Sequence, residues 1–147
     1  TLALNYTDMN RKSKVSEIMA EKLIVADSHN SFTQIMDFFT RSKIHHLPIT
    51  QNNKIIGIVS LSDVIRYLGR VLEEGKTTSI SEISSGFSLD SVMTKNPYCL
   101  KTTDTIESAF EEISKGGFHA LPIIKDDETL VGIVTAIDLV RWYDQMM

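Results

Sequence analysis

The chain has 147 residues, 42% hydrophobic and 23% charged, with a formal net charge of −4; that suffices for one globular domain or for two small halves with a common core. Without a clustered run of Lys and Arg, nucleic acid is excluded as the main partner, because a phosphate backbone is held by such clusters. The single cysteine, Cys99, excludes an internal disulfide and a multi-cysteine zinc site, and no apolar run approaches the roughly 18 residues of a membrane span, so a cytoplasmic protein without membrane insertion is expected; a start at Thr1 instead of Met suggests either a trimmed chain or a piece of a longer polypeptide.

In chain order, residues 1–14 are polar and read as an N-terminal arm. Val15 to Met19 is a short amphipathic turn and Leu23-Ile24-Val25 a brief run of strand type. Ser31 stands as an N-cap before Phe32, Ile35, Met36 and Phe39, which recur at helical spacing. His46-Leu47-Pro48-Ile49 predicts a strand whose proline is tolerated at an edge or at a strand's start. The turn residues Gln51 to Lys54 and the strand Ile55 to Val59 make it a hairpin. Val64, Ile65, Leu68 and Leu72 then lie on one predicted helical face, and residues 75–88, rich in Ser and Thr, read as a linker.

After the linker the order returns. Leu89 to Met93 matches the opening turn, Tyr98-Cys99-Leu100 the short strand, and Ile106, Ala109, Phe110 and Ile113 the first helix. Ala120 to Ile124, Leu130 to Val134 and a helix holding Leu139, Val140 and Tyr143 complete the copy. The offset is 74 residues from Met19 to Met93 and from Pro48 to Pro122, and 75 from Gly57 to Gly132, so one residue enters at the second hairpin turn. Repetition this regular means two copies of one supersecondary unit, at 15–74 and 89–147. A unit of this size is marginal alone, and two copies sharing a core leave a cleft suited to a small ligand.

Within the repeat, Gly57-Ile58-Val59-Ser60-Leu61-Ser62-Asp63 returns as Gly132-Ile133-Val134-Thr135-Ala136-Ile137-Asp138. Each is a strand running into a helix start. Two readings stand side by side. The hydroxyl and the aspartate three positions later form a capping box that needs no ligand. Equally, an ionised carboxylate can accept from both hydroxyls of a ribose, beside a helix N-terminus that favours an anion.

These stretches, in register with His45-His46-Leu47-Pro48-Ile49 and His119-Ala120-Leu121-Pro122-Ile123, resemble a pair of CBS domains, named after cystathionine β-synthase and called a Bateman module. The resemblance covers nearly everything from Val15 to Met147. It implies an α+β fold of two βαββα repeats about a pseudo-two-fold axis, and a regulatory role with no catalysis and no catalytic cofactor. AMP- or ADP-type adenine nucleotides are the implied ligands in the clefts between repeats, with ATP and S-adenosylmethionine in the same class. A homodimer reporting to an attached enzyme or transporter is the implied assembly.

Carried over by position, the ribose aspartate falls on Asp63 and Asp138, and the phosphate-side hydroxyl on Ser60 and Thr135. Ser62 matches a second polar position, where Ile137 cannot donate. The adenine slot of the Asp63 cleft is expected from Tyr98, Phe118 and His119, and that of the Asp138 cleft from Ile24, Ile44 and His45. Many relatives have an arginine just before Leu-Pro. Here His46 and Ala120 stand there, and a histidine carries charge only near or below about pH 6.5, which favours a mono- or diphosphate. With Ser62 and the Tyr98 and Phe118 wall, the Asp63 cleft is expected to fill first.

Other chemistry is weaker. His45, His46 and His119 lack carboxylate or thiolate partners at metal-ligand spacing, so no metal site is assigned. No nucleophile elbow is present, and Cys99 reads as a small core residue. Trp142 and Tyr143 read as packing or dimer contacts. Arg66 and Arg141 are expected to pair with the aspartates three residues before them. The rival to nucleotide sensing is a structural dimerisation or docking module whose aspartates only cap helices.

Overall fold

The computed structural model describes residues 10–74 and 79–146. Most of the expected N-terminal arm and residues 75–78 of the expected linker lie outside them. The described chain forms two compact units. The first is Ile24–Pro97; the second joins the segment up to Leu23 with Tyr98 onward.

In the first unit, α1 (Phe32–Ser42) precedes β1 (His46–Gln51) and β2 (Lys54–Ser60), followed by α2 (Leu61–Glu73), α3 (Ile80–Gly86), α4 (Leu89–Val92) and β3 (Thr94–Lys95). Ser31 caps α1 as expected: its side chain accepts from the Gln34 N–H while Gln34 accepts from the Ser31 N–H. β1 and β2 are antiparallel and close through Asn52 and Asn53, at φ 52° and 64°. That left-handed pair is the geometry of a two-residue hairpin turn, and asparagine tolerates it. β3 adds antiparallel to β2, giving the order β1-β2-β3.

The second unit repeats the plan. β4 (Leu100–Lys101) pairs parallel with β5 (Ala120–Ile124), and β5 antiparallel with β6 (Leu130–Thr135); α5 (Ile106–Ser114) and α6 (Ala136–Met146) complete it. The extra residue sits in the β5–β6 turn, where Glu128 takes φ 70°.

The boundaries of the units differ from those of the sequence repeats because the opening turns are exchanged. Val15 heads a short 3-10 turn (Val15–Glu17), is wholly buried, and clusters with Leu100, Ile106, Leu121 and Trp142. Ala20 and Ile133 exchange backbone hydrogen bonds at 2.9 and 3.2 Å. Reciprocally, Leu89 enters the cluster of Ala26, Phe32, Ile35, Leu47, Ile49 and Val64, and β3 borders β2. Each unit thus has a buried cluster of its own. Burying a Val or Leu side chain stabilises by about 1.5–3 kcal/mol, so each borrowed turn is a real part of its unit.

Four further expectations are corrected. Leu23–Val25 forms no strand; a single parallel bridge joins Ala26 to Ile49. Cys99 precedes β4 and lies outside the ladder. The linker is partly helical: α3 is held by the Tyr67 hydroxyl, which donates to the Ile83 carbonyl at 2.7 Å, and by Phe87 packed edge-on to Phe32 and Tyr67. On α2 the buried residues are Val64 and Tyr67, while Ile65 and Leu72 are 61% and 62% exposed. α6 behaves alike, burying Leu139 and Trp142, the latter against Phe110, and exposing Ile137, Val140 and Tyr143.

Candidate functional site

In the first unit the strand β2 delivers Ser60 to the start of α2. The Ser60 N–H donates to Asp63 Oδ2 at 2.8 Å and the Asp63 N–H to Ser60 Oγ at 3.1 Å, a complete capping box. The Leu61 N–H donates to the His45 carbonyl at 2.9 Å. This ties the residue before β1 to the helix start, and His46 stands opposite Ser60 in the β1–β2 register. The second unit reproduces the arrangement. The Thr135 N–H donates to Asp138 Oδ2 at 2.8 Å, the Asp138 N–H to Thr135 Oγ1 at 3.2 Å, and the Ala136 N–H to the His119 carbonyl at 2.9 Å. Ala120 faces Thr135.

Two of the first three helix amides are therefore occupied at each start. Among the described residues the N–H groups of Ser62 and Ile137 have no such acceptor, and one outward N–H at a positive helix end is a place for an anion. Asp63 and Asp138 are half-buried. Asp63 Oδ1 also accepts from Arg66 Nη1 at 3.2 Å, as expected. Arg141 makes no matching pair with Asp138 among the described residues, which corrects the second expectation.

The remaining candidates divide by unit. Ile24 and Ile44 pack partly buried against the first cluster, while His45 and Ser62 are exposed and His46 is half-buried. In the second unit Tyr98 and Phe118 stack, with ring centroids 6.0 Å apart and an interplanar angle of 29°. Tyr98 is 45% exposed. This pair offers an apolar aromatic surface of the kind a purine face packs on, and exposed His119 follows it directly. The residues expected for the Asp63 cleft are thus divided: Ser60, Ser62 and Asp63 belong to the first unit, and Tyr98, Phe118 and His119 to the second. Ile24, Ile44 and His45 belong to the first unit, and Thr135 and Asp138 to the second.

No group of three or more His, Cys, Asp or Glu among the described residues is placed to hold a metal ion. Burial pushes the Cys99 thiol up, and the Glu128 carboxylate adds to the effect, opposite to what a nucleophile needs.

The role of the signature glycines went unread in the sequence. A Cβ on Gly57 would run into the Met93 side chain, with Met93 Cγ at 3.0 Å and the Thr94 carbonyl at 3.1 Å. One on Gly132 would meet Met19 Cγ at 2.8 Å and Cβ at 3.1 Å. The glycine makes room for the methionine of the exchanged turn. The signal was present, since both residue types recur at the repeat offset.

Residues 15–70 and 89–145 each match the family model of the CBS domain. The chain is 28% identical over 145 residues to a homoserine O-acetyltransferase of Methanohalobium evestigatum, covering 97% of this chain and 27% of that protein. It spans 43% and 27% of the length of the first two curated relatives it matches. The solved CBS domain pair of protein MJ0100, in complex with 5′-methylthioadenosine and S-adenosyl-L-methionine, aligns with a TM-score of 0.77 at 22% identity over 92% of this chain and 98% of that one. The structure of CBSX2 in complex with AMP aligns with a TM-score of 0.74 at 23% identity, covering 90% of this chain and 97% of that one. At these identities the likeness is one of fold, and with both halves matched by the family model the chain belongs to the CBS-domain family as a tandem pair.

Proposed function

We propose that this chain is a regulatory module that senses adenine nucleotides of the AMP or ADP type, working in the cytoplasm and without catalysis of its own. The observation that carries the reading is the doubled junction at Ser60–Asp63 and Thr135–Asp138, where a half-buried carboxylate and a hydroxyl meet a helix N-terminus. Asp63 and Asp138 hold ribose hydroxyls through charge-assisted bonds. Ser60 and Thr135, with the outward N–H of each helix, receive the phosphate. Tyr98 and Phe118 supply an apolar surface for a purine. His46 and Ala120 bring less positive charge than an arginine, in keeping with few phosphates. Solved CBS pairs carrying AMP or S-adenosylmethionine support the ligand class.

Regulation follows if the nucleotide binds two dispositions of the module unequally. The attached partner is an enzyme or transporter, consistent with relatives in which the matched region is a minor part of the chain. On each unit exposed apolar side chains are available for a homodimer, Ile65 and Leu72 on α2 and Ile137, Val140 and Tyr143 on α6.

Thermal unfolding with AMP, ADP, ATP and S-adenosylmethionine tests the reading. A ligand at a hundredfold excess over Kd adds about 2.7 kcal/mol, and no shift with any of them in folded protein overturns it. One observation favours a second reading, a ligand-free dimerisation module: both capping boxes are complete without a nucleotide. In that case the oligomer forms and no nucleotide shifts it.

A further inference from the structure

We infer that the two signature aspartates are unequal ribose acceptors, that Arg66 sets them apart, and that a nucleoside engages Asp138 before Asp63, the reverse of the order expected from Ser62 and the Tyr98 and Phe118 wall. The inference rests on the ribose reading above. Each aspartate commits one carboxylate oxygen, Oδ2, to the N–H of its own cap residue at 2.8 Å. The other oxygen is then the better acceptor for a ribose hydroxyl, and a cis-diol uses both. At Asp63 that second oxygen already accepts from Arg66 Nη1 at 3.2 Å. Asp138 is followed at the same spacing by Arg141, yet among the described residues no guanidinium reaches its Oδ1.

A ribose approaching Asp63 must displace or share the guanidinium, whereas one approaching Asp138 has no such competitor. The Arg66 side chain is 68% exposed and that of Asp63 17% exposed. A pair so open to solvent shifts an equilibrium by up to about fivefold. Arg66 acts through Asp63 and is therefore a positioning residue. Ser62 works against it, since its exposed hydroxyl stands beside Asp63 where Ile137 offers none.

Calorimetric titration with adenosine, 2′,3′-dideoxyadenosine and AMP, on the wild type and on Asp63→Asn, Asp138→Asn, Arg66→Ala and Arg66→Lys, decides the point. Asparagine keeps an oxygen for the cap N–H, so each helix start survives. Nucleosides carry no phosphate, so loss of the Arg66 charge does not enter through phosphate attraction. The expected result is that Asp138→Asn removes the tighter binding event and Asp63→Asn the weaker one. Arg66→Ala then tightens adenosine at Asp63 by about two- to fivefold. It leaves 2′,3′-dideoxyadenosine, which has neither hydroxyl, unchanged, and Arg66→Lys restores the wild-type value. A purely structural role for Arg66 would not separate the two nucleosides. Loss of the tighter event in Asp63→Asn, or unchanged or weaker adenosine binding in Arg66→Ala, overturns the inference and leaves nucleotide sensing standing. No binding of any of the three compounds to folded wild type overturns nucleotide sensing, and the inference with it.

Discussion

Gly132→Ala isolates the packing on which the second unit's borrowed turn depends. Gly132 has no positive φ, so alanine brings no backbone strain, and its effect is one of contact. The added methyl would lie 2.8 Å from Met19 Cγ and 3.1 Å from Met19 Cβ. Rotation about χ1 moves the Cγ and sulfur away but leaves the Cβ, so the backbone at Met19, just after the 3-10 turn, must shift. Overpacking of this kind costs about 1–3 kcal/mol, and the smaller entropy of the unfolded alanine chain returns about 0.4–1 kcal/mol. A net loss of about 0–2.6 kcal/mol, centred near about 1.3 kcal/mol, is expected by urea unfolding, read as a lower midpoint at unchanged slope. Met19→Gly in the same background removes the clash, so the double-mutant cycle shows a favourable coupling of about 0.5–2 kcal/mol. A Gly132→Ala protein more stable than wild type, or strictly additive single effects, would refute the reasoning.

Asp63→Ala and Asp138→Ala each remove a cap and lower stability by about 1 kcal/mol, and both together abolish the nucleotide-dependent thermal shift; a shift retained in the double variant argues for capping alone. Tyr67→Phe deletes the hydrogen bond to the Ile83 carbonyl at a cost of about 0.5–1.5 kcal/mol. The loss is expected as faster hydrogen exchange in α3, and unchanged exchange there would mean that Phe87 alone holds the helix. Cys99, with its thiol pushed up by burial, is expected to react with iodoacetamide at pH 8 more slowly than glutathione does. Because the folded thiol keeps its proton to higher pH than the unfolded one, this group's contribution to stability is intact below the ordinary thiol range and falls as pH rises through it; a rate matching glutathione would contradict the burial argument.

Much of the architecture was legible in the residues because its causes are local. Ser31, Ser60 and Thr135 announce helix starts through bonds made three positions away, and Asn52-Asn53 announces a tight hairpin through its left-handed backbone. The offset of 74 or 75 residues doubled each such signal, and with it the candidate site. Residues that act within one junction, namely Ser60 with Asp63 and Thr135 with Asp138, were found together.

Other features depended on which surfaces meet. Hydrophobic spacing put Ile65 and Leu72 on the face of Val64, but an apolar stripe on a helix can be wider than the area its unit covers, and both stay exposed. Arg66 and Arg141 occupy equivalent positions in the sequence, yet among the described residues Arg66 alone of the two reaches its aspartate. The exchange of the opening turns was hidden for the same reason. By itself the sequence determined the repeat, its elements and the two strand-to-helix junctions, since those rest on propensity, capping and register within a few residues. Only the tertiary structure decided that Val15 and Met19 serve the second unit and Leu89 and Met93 the first, because burial and strand bridging join residues that the chain keeps far apart.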